Sequence, residues 1–462
     1  MEAGRYQEAI SLYRKLVEAI PGNPGMVLNL GLALHSAGSY GEAIKWFKKA
    51  ADLAPGQAIA WLLLGSDLLR LGRPAEGIKP LERAVEIEPR NATARLLLAS
   101  AAYDLRRFAQ AGEQSRRVAE QEPKNPRAWH LLAMSELALF RDASRRLEEA
   151  APESAYWYAL FARSQAEAGR YGRACYYYKL ALERRPDLRT CWTALETIYR
   201  KSGHPDWAAA AAARRSALGP LDCRAHPLEC EFAAGHFSKV IATASERRRP
   251  EAYYWLARTR STLALRALSR LARLPQSVEL YLVRAEIYGI RKMYAMAVAE
   301  MEKAKTLAPG DTRVQETLAE YLWLSRNYKA AAALLKGLVQ KVPLSATLNY
   351  ELGDSLLKLY DARQAIQYLR ASVKVDPGSV AAHAALGRAY MSVGKPELAI
   401  PHLKVSLGSD QDGSVHYQLA RAYRALGEPA KARQVLADYR KIQETLRAQD
   451  KSNLDTFQVT PP

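Results

Sequence analysis

The chain has 462 residues, 49% hydrophobic and 25% charged, so it has enough apolar material for a core and is not a disordered polypeptide. Its longest apolar runs, such as AIAWLLLG, are far shorter than the roughly 20 residues that span a bilayer, and four cysteines are too few for a disulfide scaffold. The net charge is +19, of which +10 lies in residues 141–275, and such a basic surface favours anionic partners without choosing among nucleic acids, acidic proteins and anionic polymers.

Prolines recur at a fixed interval of 34 residues along the chain. An internal period of this length is the signature of a repeat architecture. The interval appears in three separate series, which rules out coincidence. The series are Pro21, Pro55, Pro89 and Pro123; then Pro152, Pro186 and Pro220; then Pro275, Pro309, Pro343 and Pro377.

The period that ends at Pro55 shows what each unit contains. Val27 and Leu34 belong to an apolar stripe at helical spacing, and Gly38 ends that helix because glycine tolerates a positive φ. A second apolar stripe begins at Tyr40 and is closed by Pro55. Each unit is therefore predicted to be a pair of antiparallel helices. Small residues let the two helices approach closely at Gly31, Gly65, Ala99, Ala133, Ala162, Gly353 and Gly387.

This pattern resembles the tetratricopeptide repeat (TPR) family, in its multi-repeat bacterial form, over most of the chain. The resemblance implies an all-α fold, a right-handed α-solenoid of antiparallel helix pairs, in which first helices line a concave groove that binds ligands. The matching first-helix residues are Trp61, Trp129, Trp192, Leu318, Leu352 and Leu386, and the matching second-helix residues are Ala43, Ala111, Ala174, Ala331, Ala365 and Ala399.

The organisation along the chain follows from the phase of the repeat. Residues 1–21 supply a second helix without a first one, so we expect the chain to be a fragment or to start at a late Met. The later segments are an array over 22–220 with a shortened unit at 124–152, two degenerate short repeats over 221–275, an array with a C-terminal capping helix over 276–445, and a polar tail over 446–462, whose end LDTFQVTPP is predicted to be disordered.

The N-terminus carries no basic region followed by an apolar stretch. As written, the sequence therefore predicts a cytoplasmic protein. If an N-terminal signal is missing from this chain, the protein would be periplasmic or exported.

The stretch LDCRAHPLECEFAAGHF holds Cys223, His226, Cys230 and His236. Structural zinc sites usually present paired short spacings, and His236 falls in the turn between two helices, so no metal site is predicted. Two interpretations stay open for the cysteines. They form a disulfide if the compartment is oxidising, or they are two unpaired thiols in a degenerate repeat.

Nothing in the sequence predicts catalysis. A nucleophile, a base and an orienting group must share one pocket, whereas the eight histidines are scattered over separate units. Motifs such as G-x-S-x-G, HExxH and a phosphate-binding glycine loop do not occur. The protein is predicted not to be an enzyme and to need no cofactor.

The resemblance directs attention to exposed positions of the first helices, which alternate between acidic and basic stretches. We predict a non-catalytic scaffold that binds proteins or peptides in its groove, acidic ligands among them, and alternating charge favours an extended polypeptide. The predicted groove residues are Tyr156, Arg163, Thr193, Thr197 and Arg200 in the middle, and Glu279, Glu286, Glu316, Glu320, Asp354, Arg388, Arg421 and Arg424 in the C-terminal half.

Two alternatives to peptide binding remain. One is an RNA- or anionic-polymer-binding solenoid that uses residues 141–275, where Arg266 and Arg270 lie near Tyr254 and Trp255. Nucleic acid is the less favoured ligand, because aromatic residues are also expected at packing positions of the repeat. The other alternative is the regulatory part of a larger protein truncated at its N-terminus.

Overall fold

The computed structural model describes residues 5–453 and 458–462, with side chains described up to residue 447 and again from residue 458. Within these ranges the regular structure is helical, and successive helices pack as antiparallel pairs. The predicted all-α solenoid is confirmed. Among the described helices, none combines the length and apolar character that a membrane crossing requires.

The chain folds into two units. The first ends at Pro275 and also takes in residues 458–462, and the second begins at Gln276. The helices of the first unit are α1 (Tyr6–Ala19), α2 (Pro24–Ser36), α3 (Tyr40–Leu53), α4 (Ala58–Arg70), α5 (Pro74–Ile87), α6 (Ala92–Asp104), α7 (Phe108–Gln121), α8 (Pro126–Ala150), α9 (Ala155–Glu167), α10 (Tyr171–Arg184), α11 (Arg189–Lys201), α12 (Pro205–Ala217), α13 (Pro227–Ala233), α14 (Phe237–Ser245) and α15 (Pro250–Ala272).

The second unit continues the alternation of first and second helices. A 3-10 turn over Leu407–Ser409 follows its eighth helix. The helices are α16 (Val278–Ile290), α17 (Tyr294–Leu307), α18 (Thr312–Leu324), α19 (Tyr328–Lys341), α20 (Ala346–Lys358), α21 (Ala362–Val375), α22 (Val380–Ser392), α23 (Pro396–Ser406), α24 (Ser414–Ala425) and α25 (Pro429–Asn453).

Close packing within each pair depends on the small residues that the sequence places in first helices. A Cβ atom added at Gly31 would lie 2.6 Å from the ring of Phe47, and one added at Gly353 would lie 2.6 Å from the side chain of Leu369. Both distances are below van der Waals contact, so the facing side chain or its helix would have to shift. The predicted reason for these glycines is confirmed.

A recurrent hydrogen bond joins seven first helices to the loop that precedes them. A first-helix side chain bonds the carbonyl oxygen of the proline six residues earlier, at 2.6–3.1 Å. This bond satisfies a loop carbonyl that lies just beyond the C-cap of the preceding helix. The side chains are those of Trp61, Arg95, Trp129, Trp192, Gln315, Asn349 and His383.

Two predicted units differ from the structure. The shortened unit at 124–152 is occupied by one continuous helix, α8, and the second degenerate repeat within 221–275 is one long helix, α15, instead of a pair. Neither helix contains an internal glycine or proline. Glycine and proline are the residues at which a helix most readily ends, so without them each segment stays one continuous helix.

Helices α8 and α15 pack against each other, although 99 residues lie between them in sequence. Glu136 of α8 is completely buried and accepts hydrogen bonds from Arg116 of α7 and Arg260 of α15, both at 3.0 Å. Apolar contacts of Leu132 and Ala133 with Ala267 continue the same interface. Because α15 is held against α8 in this way, it also contacts α9 and α11, the first helices that follow α8 in sequence.

The C-terminal segment also differs from the prediction. Helix α25 continues to Asn453, so the first part of the predicted polar tail is helical. Residues 454–457 lie outside the described residues. The remainder, residues 458–462, belongs to the first unit and contacts α10, which contradicts the prediction that this end is disordered.

Candidate functional site

In the middle of the first unit, α15 lies on the face that the predicted groove residues occupy. Tyr156 is only 8% exposed, its ring lies 5.3 Å from that of Tyr254, and its hydroxyl accepts a hydrogen bond from Arg185 at 2.9 Å. The prediction that Tyr156 is an exposed ligand-binding position is therefore wrong. A helix from farther along the chain covers it.

The other middle residues differ in exposure. Arg163 pairs with Glu167 at 2.8 Å and donates to Ser261 of α15 at 3.2 Å, so it also faces α15. Thr193, Thr197 and Arg200 remain exposed along α11. The structure therefore divides this predicted group instead of gathering it into one site.

The second unit carries four carboxyl side chains on three successive first helices, and three of them interact electrostatically. Glu286 lies on α16, Glu316 and Glu320 lie on α18, and Glu351 lies on α20. Glu320 is exposed, whereas Glu286 and Glu316 are half-buried. Burial raises the pKa of both Glu316 and Glu320 above the ordinary value. We call Glu316, Glu320 and Glu351 the acidic cluster.

Glu351 was missed at the sequence level, and it is the most perturbed member of the acidic cluster. Its side chain is 5% exposed. Burial, followed by repulsion from Glu320 and Glu316, raises its pKa to about 8. A carboxyl group in such surroundings is protonated at neutral pH. The sequence could have revealed this position, because the equivalent residues one and two periods later, Ala385 and Leu419, are apolar, as expected of a buried position.

Next to the acidic cluster, Asp354 has a structural role. It is 4% exposed, accepts a hydrogen bond from the indole nitrogen of Trp323 at 3.0 Å, and pairs with Arg388 at 3.3 Å. The prediction that Asp354 is an exposed groove position is wrong, because these two side chains satisfy its carboxylate. Arg388 is half-buried, and Arg421 and Arg424 are exposed on α24.

The first helices of the second unit carry groups of opposite charge that could bind oppositely charged ligand groups. Three neighbouring carboxyl groups, one of them destabilised by burial, favour the approach of a cation that would let Glu351 ionise. The arginines on α24 favour an anion. Glu279 is half-buried near the start of α16. Perturbed ionisable groups of this kind are candidates for functional positions.

The cysteine-histidine stretch forms a disulfide. The Sγ atoms of Cys223 and Cys230 are 2.05 Å apart, which selects one of the two interpretations that the sequence left open and removes both thiolates as metal ligands. His226 lies 3.7 Å from Asp187, and His236 lies 2.7 Å from Glu231. The two histidines therefore have separate carboxylate partners.

In the basic region over 141–275, the two aromatic residues on which the nucleic-acid alternative rested are buried. Tyr254 and Trp255 are both 1% exposed, so they cannot stack on bases. Several of its arginines pair with carboxylates, including Arg145 with Glu149 at 2.8 Å. Arg266 and Arg270 are exposed.

Two histidines that appeared scattered in sequence meet in one helix pair. The Nδ1 atoms of His383 and His402 are 2.8 Å apart, and burial, with His383 beside it, lowers the pKa of His402. His383 also bonds the carbonyl oxygen of Pro377, as other residues at its repeat position do. Its role is thus explained by packing of the pair.

Models of known protein families match the repeated segments of the chain. A family model described as tetratricopeptide repeat matches residues 1–58, 316–379, 350–414 and 385–445, and a second model with the same description matches residues 68–134. Together the matches cover more than half of the chain. No curated protein sequence matches it.

Solved structures provide more distant similarities. MamA from Desulfovibrio magneticus RS-1 is 20% identical over 37% of this chain and 97% of its own, with a TM-score of 0.33. Naa15/Naa10 bound to HypK-THB is 15% identical over 97% of this chain and 74% of that one, also at 0.33. YrrB, described as a TPR protein with an unusual peptide-binding site, is 15% identical over 45% of this chain and 92% of its own, at 0.25.

Proposed function

The chain belongs to the tetratricopeptide repeat family, and from this premise we propose that it is a non-catalytic scaffold that binds an extended protein or peptide segment along the first helices of its second unit. Lys or Arg side chains of the ligand would meet the acidic cluster, Glu316, Glu320 and Glu351. Acidic side chains farther along the ligand would meet Arg421 and Arg424.

The observation that carries this proposal is the buried carboxyl group of Glu351 beside two other carboxyl groups. A packed core would be more stable with an apolar residue at that position, since burial and like charge both oppose ionisation. A cation from a ligand removes part of this cost. The free-energy gain then appears only when the ligand is bound, which is what a binding surface requires.

Binding of a cationic peptide tests the proposal. The probe is a short fluorescein-labelled peptide of alternating lysine and leucine, and a twin peptide carries glutamate in place of lysine. Titrations followed by fluorescence anisotropy should show tighter binding of the lysine peptide. Glu316→Gln with Glu320→Gln should weaken that binding by roughly tenfold, because each partly buried charge pair contributes about 0.5–1 kcal/mol.

The matched control changes the same charge on second helices. Glu302 and Glu397 are exposed on α17 and α23, and their joint replacement by glutamine should leave the affinity unchanged. If both double variants weaken binding equally, the effect is the net charge of the unit, and the proposed site is wrong.

A pH series examines Glu351 itself. Cation binding favours the ionised carboxylate, so binding should release a proton and the affinity should rise with pH until about 8, where Glu351 ionises without help. Glu351→Gln should flatten this dependence. A pH profile that is the same in the variant would contradict the assigned role.

A further inference from the structure

Residues 458–462 lie on the surface of α10 in the first unit. The ammonium group of Lys179 donates to the hydroxyl oxygen of Thr460 at 2.6 Å and to the carbonyl oxygen of Pro461. The carbonyl oxygen of Thr460 lies 3.6 Å from the Sγ atom of Cys175, four residues before Lys179 on the same face of the helix. The segment therefore makes contacts through its backbone as well as through a side chain.

An apolar contact accompanies these polar ones. Val459 is half-buried and packs against the core cluster that contains Cys175, Tyr178 and Tyr199. Cys175 is completely buried, and its Sγ atom lies 3.6 Å from the hydroxyl of Tyr199 on α11. The extended segment thus lies where α10 and α11 meet.

We propose that Cys175, Lys179 and Tyr199 form a peptide-binding site for a short extended segment, and that residues 458–462 of this chain are its ligand. The ammonium group recognises a threonine hydroxyl together with a backbone carbonyl, and the apolar surface takes the valine side chain. Pro461 and Pro462 fix φ near −65° in the segment, which lowers the entropy lost when it docks.

This site is separate from the acidic cluster of the second unit, so the two proposals succeed or fail independently. Residues 458–462 follow α25 in sequence, and the site therefore has a tethered ligand at an effective concentration on the order of millimolar. A partner with a similar Val-Thr-Pro segment has to displace that ligand. The site is then occupied until such a competitor is present in excess.

The thiol of Cys175 provides a direct reporter of occupancy. Cys191 is also completely buried and unpaired, and Cys223 and Cys230 are bonded to each other. The full chain and a variant that lacks residues 458–462 are treated with a thiol reagent under native conditions without reductant, and labelling at each cysteine is followed by mass spectrometry. Deletion should accelerate labelling of Cys175 by at least about tenfold, the factor expected for a millimolar tether with a Kd of about 100 µM, and leave Cys191 unchanged.

Two additions complete the test. Acetyl-QVTPP-amide, added at millimolar concentration to the deletion variant, should restore the protection of Cys175. In the full chain, Lys179→Met should raise Cys175 labelling in the direction of the deletion variant. Protection in the full chain should not depend on protein concentration.

Three results would overturn the proposal. Unchanged labelling of Cys175 after deletion shows that the segment does not occupy the site. Equal acceleration at Cys175 and Cys191 shows that the segment is part of the fold and not a ligand. Protection that disappears on dilution of the full chain shows that the segment does not bind within its own chain.

Discussion

Replacing Glu136 by glutamine tests whether buried charge holds α15 against α8. The substitution keeps the size and shape of the side chain, so it opens no cavity. It removes the negative charge that Arg116 and Arg260 share at 3.0 Å each. Glu136 is completely buried, and Arg260 is largely buried, so the change leaves a cation without its counter-charge in a region of low dielectric.

The expected cost follows from that burial. Removing one partner of a buried ion pair costs about 3–5 kcal/mol, because the remaining charge stays desolvated. At about 1.4 kcal/mol for each factor of ten, amides of α15 that exchange by opening of this interface should exchange at least about a hundredfold faster. Native-state hydrogen exchange measures that opening locally, without assuming that the whole chain unfolds in two states.

A surface pair in the same helix provides the control. Glu149 pairs with Arg145 at 2.8 Å, but both side chains are mostly exposed. Glu149→Gln should change exchange by less than about fivefold, as expected for a pair worth at most about 1 kcal/mol. Equal protection of α15 in the two variants would refute the reasoning. Replacing Glu136 by leucine and Arg260 by methionine together should recover most of the loss, since no buried charge then lacks a partner.

Three further predictions concern stability. The unfolding free energy of the second unit should fall as pH rises from about 4.5 to about 8, by up to about 1.4 kcal/mol per pH unit. The reason is that the raised pKa makes folded Glu351 bind its proton more tightly than the unfolded chain does. Urea denaturation measures this slope, which should be absent in Glu351→Gln. Gly353→Ala should lower the unfolding free energy by about 1–3 kcal/mol and lower the melting temperature, since its Cβ would overlap the facing side chain. Gly337 has open space around it, so Gly337→Ala should be neutral or raise the unfolding free energy by up to about 1 kcal/mol. Equal effects of the two substitutions would contradict the packing argument. Reduction of the Cys223–Cys230 disulfide should lower the unfolding free energy of the first unit by about 2–3 kcal/mol, the contribution expected for so short a loop. The urea midpoint should fall with it, and an unchanged midpoint would show that this disulfide contributes nothing.

The helix pairs could be predicted because the residues that form and end each helix recur every 34 residues. A glycine turn, an apolar stripe and a closing proline all lie within one period, so no long-range information is needed. The turn geometry even persists where the glycine is missing. Arg106 and Tyr360 occupy its position with φ of 59° and 65°, a conformation that costs non-glycine residues roughly 1–2 kcal/mol.

Predictions failed where distant residues determine exposure. Helical phase alone placed Tyr156 and Asp354 on an exposed face. Tyr156 is covered by α15, nearly 100 residues later in the chain, and Asp354 is enclosed by side chains from α18 and α22. The same limitation hid Glu351, because its raised pKa arises first from burial and then from repulsion by carboxyl groups on the adjacent first helix. Periodicity reports which face a residue occupies and not what covers that face.

The two long helices change which first-helix surfaces of the first unit are exposed. Within the first unit, α15 pairs with α8 and lies on the first helices α9 and α11 through contacts such as Tyr254 with Thr190 at 3.0 Å. Those helices have therefore lost part of the face on which the family resemblance predicts binding. In the second unit the alternation of short helices continues up to α24, and Glu320, Arg421 and Arg424 remain exposed on its first helices. The continuous helix between Pro250 and Pro275 thus makes part of the surface of α9 and α11 an interior contact.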